Sequence, residues 1–427
     1  LADHRNFLFL QGPHGPFFYE LSRLLLTAGH EVCRIGINRG DAYYWPDLDR
    51  YHAFRGPMED WRDYLSAFLD ENDVTDIVVY GDTRMLHGVA KALARERGLR
   101  IHCFEEGYLR PYWITYERDG ANGNSKLMDL DMETIAARID NPDAVQPEAP
   151  AQWGAMWRHI FFGSIYHANI LFRNGAYPGF KSHREEGVFE EWMLHCKRLL
   201  AYPFGLLQRR WTTGRVMRLG APYHVALLQL GHDASVQDHS SVASMADFIE
   251  ITVRGFARGA PGHHHLVFKA HPLEDGREPV AQLVRMAALA HGIKDRVWFI
   301  PGGKLGPLLD RAGSAVTVNS TAGQQALWRG LPLKALGRAV YARPEFVSDQ
   351  TLEAFFANPK LPDAGAYRLY RQFLLETSQI GGGYYSASGR RVARRRVIDL
   401  MLSDSDIYDI GRRKKVTQQA KLSVVSG

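Results

Sequence analysis

Leu266-Val267-Phe268-Lys269-Ala270-His271-Pro272, followed by Leu273-Glu274-Asp275-Gly276, is an apolar run that closes on a cation, an imidazole and a proline. Such a run reads as a buried parallel strand whose carboxyl end carries polar side chains into a crevice, the place where open α/β sheets bind ligands. Pro272 has no amide proton, so it ends strand pairing, and it holds His271 near the extended region. The bland alternative is a strand that simply finishes in a turn. What favours a site is the company of similar strand ends elsewhere in the chain.

In the same half, residues 225–230 form a second apolar run before the loop Gly231-His232-Asp233-Ala234-Ser235. Helical spacing over 245–258 and 280–291, strands over 297–300 and 315–318, and the sequence Asn319-Ser320-Thr321-Ala322-Gly323 before a short helix complete an α/β series. The first half repeats the pattern. A strand over 6–11 meets Gly12-Pro13-His14-Gly15-Pro16 and a helix over 17–28. Residues 32–37 are a strand that ends at Asn38-Arg39-Gly40-Asp41. Strands over 75–80 and 100–104 follow, and the second of them delivers Glu105-Glu106-Gly107-Tyr108-Leu109-Arg110-Pro111 at its carboxyl end. Strands alternating with helices at this interval predict two Rossmann-like α/β domains facing across a cleft. The expected division is 1–200 for a first domain with an aromatic helical segment and 205–385 for a second. Residues 386–427 are expected to be a basic tail that either lies on a surface or packs back on the first domain.

A chain of 427 residues with 45% hydrophobic content is long enough for two cores. It has no run of 18 apolar residues, and its first residues lack a signal-peptide pattern. Cys33, Cys103 and Cys196 lie far apart without CxxC spacing, which argues against a structural zinc or a disulfide scaffold and for the cytoplasm. The net charge of +5 is concentrated near the end. Residues 390–427 hold ten Lys or Arg against four Asp, in Arg390-Arg391, Arg394-Arg395-Arg396 and Arg412-Arg413-Lys414-Lys415 among others. An anionic membrane surface would attract these at about 1 kcal/mol per cation. No nucleic-acid recognition motif accompanies the charge, so nucleic acid is not expected as a partner.

The strand ends carry the candidate chemistry. Ser320 and Thr321 offer caps and hydroxyls, and Gly323 lets amides of a first helical turn approach an anion. Lys269 and His271 suit a departing phosphate, because charge-assisted hydrogen bonds are worth roughly 1.5–3 kcal/mol each. No carboxylate cluster with metal-ligand spacing is present, so metal-independent chemistry without a cofactor is expected. Glu105 and Glu106 end a first-half strand, where adjacent side chains point to opposite faces. One of them can face a sugar carbon, as nucleophile or general base, while the other orients it. Arg110 is placed to pair with either carboxylate or with an acidic substrate group. Gly12, Gly15 and Arg39 lie at the ends of the first two strands and are substrate-binding candidates.

Six stretches together resemble the bacterial capsule polysaccharide biosynthesis proteins, in their KpsS-type β-Kdo transferase branch. They are residues 9–18 (FLQGPHGPFF), 34–41 (RIGINRGD), 104–111 (FEEGYLRP), 229–235 (QLGHDAS), 269–272 (KAHP) and 319–327 (NSTAGQQAL). The resemblance implies a GT-B glycosyltransferase that uses CMP-β-Kdo with retention and places Kdo on a lyso-phosphatidylglycerol acceptor. It implies an acid directly before the motif glycine, here Glu106, as the group that forms a covalent sugar adduct. It implies a CMP site at His271, Ser320, Thr321 and Gly323, and the expected donor set also includes Lys269, Pro272, Asn319, Gln229 and Asp233. A peripheral place on the inner membrane, beside a KpsC-type transferase and the capsule export machinery, follows from the same resemblance. The competing readings are a GT-B enzyme for a sialyl or UDP-sugar donor and a non-catalytic assembly partner.

Overall fold

A computed structural model describes residues 4–139, 142, 145–146, 156–180, 188–230, 242–271, 274 and 278–409. The chain divides into two compact units: residues 1–126, 137–199 and 373–427 form the first, and 127–136 with 200–372 form the second. The described strands are β1 (Asn6–Phe9), β2 (Glu31–Gly36), β3 (Tyr51–Ala53), β4 (Asp76–Tyr80), β5 (Arg100–Glu106) and β6 (Trp113–Arg118) in the first unit. The second unit has β7 (Tyr223–Leu227), β8 (His265–Lys269), β9 (Val297–Ile300), β10 (Ser314–Thr317) and β11 (Leu333–Ala335), and β12 (Gln379–Gly381) returns to the first.

The first sheet runs β12-β6-β5-β4-β1-β2-β3 and the second β11-β10-β7-β8-β9. Strands β1 to β5 are parallel, as are β7 to β11. Within each unit the five parallel strands follow the Rossmann order 3-2-1-4-5, so both of the expected Rossmann-like α/β units are present. Continuous apolar strands are what such an order demands, since helices cover both faces. Phe7, Leu8 and Phe9 of β1 are all fully buried. On one face Leu8, Ile77, Val79 and Cys103 pack with Trp61 and Leu65 of the helix Trp61–Glu71 and with Leu86 and Leu93 of Met85–Arg97. On the other, Phe9, Phe17, Phe18, Phe104 and Tyr384 meet edge to face. The second unit packs Ala226, Phe268 and Val316 against Phe248 and Val253 of the helix Met245–Gly259.

The structure departs from the sequence expectation at three places. Strand β5 runs on through Glu106 because β6 returns antiparallel and pairs Glu105 with Thr115 and Glu106 with Ile114. The period-2 pattern of Trp113–Arg118 therefore builds a hairpin to which the sequence reading assigns no element. The boundary at 385 moves to 372, since β12 pairs antiparallel with β6 and so belongs to the first sheet. Residues 127–136 join the second unit, where the Arg343 guanidinium donates to the carbonyls of Leu127 and Leu130.

Most of the described part of the basic tail is the helix Ala387–Leu402, which is built into the first unit. Its Arg390 donates to both oxygens of Glu20 on the helix Phe17–Thr27, and Arg394 pairs with the same carboxylate at 3.1 Å. At its carboxyl end, where backbone carbonyls lack helical partners, Arg5 donates to Met401 O at 2.8 Å and Arg118 to Leu400 O at 3.1 Å. Arg391, Arg395 and Arg396 remain exposed, and Arg412 to Lys415 lie outside the described residues. None of the described helices is long and apolar enough to cross a membrane. Glu20→Ala should therefore accelerate amide exchange across 387–402 by tenfold or more, with exchange in β7 to β11 unchanged; equal protection of 387–402 in variant and parent would contradict the docking described here.

Candidate active site

The carboxyl end of β5 presents two adjacent carboxylates in a half-buried setting. Burial penalises a charged carboxylate unless donors meet it, and the two glutamates meet different ones. Glu105 turns back so that its Oε1 accepts from the Glu106 amide at 2.9 Å. Desolvation pushes its carboxyl up to about 7, against the lowering influence of that amide, with the neighbouring Glu106 charge raising it further and Arg84 and Arg110 opposing. Glu106 instead takes two phenol donors on one oxygen: Tyr80 Oη at 3.1 Å and Tyr385 Oη at 3.4 Å, both on Oε1. Tyr384 Oη donates to the Glu105 carbonyl at 2.8 Å and so fixes the backbone between them. Gly107 is obligatory here, since a Cβ would collide with the Trp113 carbonyl that its own amide bonds across the hairpin. Arg110 is exposed, precedes a cis Pro111, and donates from Nε to Gly107 O at 3.3 Å.

Beside this pair lies the switch point of the first sheet, between β1 and β4, where α/β sheets open a crevice. Arg84, just after β4, donates to Gln11 Oε1 at 2.6 Å, and Gln11 Nε2 donates to Tyr166 Oη at 2.8 Å. Tyr166 in turn donates to Asp41 and accepts from Asn38, and its ring stacks on His14 with centroids 4.4 Å apart. The helix Met156–Arg173 is thereby fastened over the loops that follow β1 and β2. Gly12 and Gly15, substrate candidates in the sequence, have packing duties. A Cβ on Gly12 would lie 2.6 Å from the Phe18 ring, and Gly15 sits at φ +121° beneath Phe162. Arg39 is exposed, with its amide held by Asn174 Oδ1 at 2.9 Å.

In the second unit the switch point falls between β7 and β10, and a reciprocal amide pair closes it. Gln229 Nε2 donates to Asn319 Oδ1 at 2.9 Å while Gln229 Oε1 accepts from the Asn319 amide at 3.0 Å. Register places Thr317, Leu227 and Lys269 in one row, so Asn319, Gln229 and His271 each follow it by two residues. Strand β7 lies between β8 and β10, which sets the ends carrying His271 and Ser320 roughly 10 Å apart at the ordinary strand spacing. That is within the span of a nucleotide.

Two expectations about this edge are corrected. The amides reserved for an anion at Ser320 to Gly323 are engaged within the turn: Ala322 N with Ser320 Oγ, and Gly323 N and Gln324 N with the carbonyls of Ser320 and Thr321. A tight i→i+3 turn consumes them before the helix Gly323–Trp328 begins, and Gly323 is required because a Cβ would lie 2.8 Å from Tyr341 Oη. Lys269 is buried and donates to the adjacent Ala270 carbonyl at 2.9 Å; desolvation, then the Arg209 charge, brings its ammonium down to about 8. Arg209 itself reaches the Pro301-Gly302-Gly303 loop, close enough that a Cβ on Gly302 would lie 2.6 Å from its Nε. Pro272 and Asp233 lie outside the described residues. Sequence reasoning missed Tyr80, Arg84, Tyr166, Tyr384 and Tyr385. The one legible signal for the last two was Gly381-Gly382-Gly383 immediately before a tyrosine pair.

Truncating Gln229 takes a buried acceptor from the Asn319 backbone N–H, and truncating Asn319 takes one from Gln229 Nε2, each at about 1–3 kcal/mol. Gln229→Ala and Asn319→Ala should each destabilise the second unit by that amount, and the double variant by about 1 kcal/mol or more less than their sum, read from hydrogen exchange in β7 and β10 with added urea. Strict additivity would show that the pair is not coupled. For Glu105, a folded-state value above the unfolded one means that the folded protein holds the extra proton between about 4.5 and about 7. Its contribution to stability is present at the acid end of that window and lost as pH rises through it. The melting temperature of Glu105→Gln relative to the parent should therefore rise from pH 5 to pH 8, and a difference independent of pH would rule out the raised value.

Comparison with known proteins adds the family. A family model described as capsule polysaccharide biosynthesis protein matches residues 75–385. The capsule polysaccharide export protein KpsS of Escherichia coli is 29% identical over 392 residues, covering 90% of this chain and 98% of the relative. The capsule polysaccharide modification protein LipB of Neisseria meningitidis serogroup A is 30% identical over 399 residues, covering 90% and 93%. Among solved structures, the β-Kdo 2,7 transferase KpsC of Thermosulfurimonas dismutans aligns over 96% of this chain and 100% of its own, with a TM-score of 0.45 and 12% identity. The match of the family model to well over half of the chain establishes that this protein belongs to the capsule polysaccharide biosynthesis protein family.

Proposed function

We propose that the chain is a retaining glycosyltransferase that moves Kdo from CMP-β-Kdo to a lyso-phosphatidylglycerol-type lipid in capsule biosynthesis. The observation that carries this reading is the carboxylate pair Glu105 and Glu106 at the carboxyl edge of β5, inside the segment that the family shares. In this reading the second unit holds CMP at the β8/β7/β10 edge, through His271, Asn319, Ser320 and Thr321 with Gln229 as the brace. The first unit supplies the acceptor site around Arg84 and Tyr166, together with the reacting acid. The reaction uses no metal or resident cofactor.

Glu106 attacks the anomeric carbon. The bond from that carbon to the CMP phosphate oxygen breaks, and its electron pair leaves with CMP. The acceptor hydroxyl then attacks the same carbon from the vacated side, its proton passing to Glu105, and the ester bond breaks to restore the Glu106 carboxylate. Two inversions give retention. A carboxyl brought to about 7 is matched to receive a proton near neutral pH. The exposed cations Arg391, Arg395 and Arg396 suit attraction to an anionic inner-membrane surface that carries the acceptor, where the KpsC-type transferase and export machinery would take the product onward.

Glu106→Gln keeps the shape and removes the charge. With CMP-Kdo generated in situ and lyso-phosphatidylglycerol, mass spectrometry should show product loss of at least a thousandfold, while CMP still raises the melting temperature of the variant as it does the parent. Full product formation by Glu106→Gln would end the assignment, and stabilisation by UDP but not by CMP would favour another nucleotide sugar.

A further inference from the structure

The two oxygens of Glu106 are not equivalent. Among the described residues, the hydroxyls of Tyr80 and Tyr385 both meet Oε1 and no donor meets Oε2. Tyr80 ends β4, the neighbour of β5 in the sheet, so its place follows from strand register. Tyr385 arrives from the segment between β12 and the helix Ala387–Leu402, 279 residues along the chain from Glu106. It is held there from several sides. His159 packs on its ring with centroids 4.5 Å apart, and Tyr384 beside it stacks edge-on against both Tyr80 and Phe17.

We propose that Tyr80 and Tyr385 are positioning residues that clamp Oε1 of Glu106 and leave Oε2 as the atom that meets the sugar. The proposal rests on the assignment of Glu106 made above and deepens it. A carboxylate with one oxygen held by two phenols cannot swing about its terminal torsion, so the attacking lone pair is aimed before the donor arrives. Burial, and next the charge of Glu106, hold both phenols well above the usual tyrosine range, so they remain protonated donors at any pH at which the protein works. Tyr384 has a different part: its hydroxyl is spent on the Glu105 carbonyl, so it anchors the strand end rather than the carboxylate.

Tyr80→Phe and Tyr385→Phe keep the rings and remove one donor each. The expected result is a kcat about tenfold lower for each and about a hundredfold lower for the pair, with the donor KM within twofold of the parent and the melting temperature close to it. A double variant whose kcat stays within twofold of the parent, while Glu106→Gln is inactive, would overturn the clamp and leave the assignment of Glu106 standing. A raised KM at unchanged kcat would also overturn it, since the tyrosines would then bind substrate. If Glu106→Gln is itself fully active, the reading beneath the clamp is lost and the clamp with it. A measurement independent of turnover is the coupling between Tyr385→Phe and Glu106→Gln in the unfolding equilibrium constant, expected at fivefold or more; coupling within twofold would mean that the bond is not made.

Discussion

Placing two carboxylates side by side in a half-buried strand end is costly unless the protein brings donors to them, and the architecture of the first unit is arranged around doing so. One donor is local, the Glu106 amide that reaches back to Glu105. The others are Tyr80 from the next strand and Tyr385 from the far end of the chain. The hairpin β5–β6, the edge strand β12 and the helix Ala387–Leu402 all serve to hold that distant segment against β5. Arg5, Arg118 and Glu20 tie down both ends of the helix.

The two units solve the opening of their sheets in a similar way. In each, a glutamine stands two residues beyond the last register position of the first strand and bonds across to a residue that follows the fourth strand of the order. Gln11 reaches Arg84, and Gln229 reaches Asn319. An amide suits this place because it offers a donor and an acceptor together at the point where adjacent connections leave in opposite directions and the backbone amides have no strand partner. The difference lies in what is presented. The first unit shows a cation and a network of hydroxyls, whereas the second shows an imidazole and a hydroxyl-rich turn.

The parallel strands were legible because fully buried strands announce themselves as apolar runs, such as Phe7-Leu8-Phe9 and Leu266-Val267-Phe268, whereas their order comes from the structure. Glu105, Glu106, His271 and Asn319 were legible because polar residues directly after such runs have few places to go except the sheet's open edge. What stayed hidden depends on contacts distant in sequence. Nothing around Tyr385 says that it will meet Glu106, and β12 is three residues of ordinary character whose pairing with β6 decides the domain boundary. The turn at Ser320 shows the opposite limit: its composition fits an anion seat, yet the same hydroxyl that makes it look so takes the Ala322 amide for itself.

The first unit is discontinuous, with residues 127–136 and 200–372 of the second unit inserted before Phe373. During synthesis, every strand of the second unit emerges ahead of β12 and the tyrosine pair. The second unit can thus be complete on the ribosome while β6 still has an unpaired edge and the acidic pair still lacks Tyr385. Maturation of this protein has a direction, and the surroundings of its paired carboxylates are the last to be assembled.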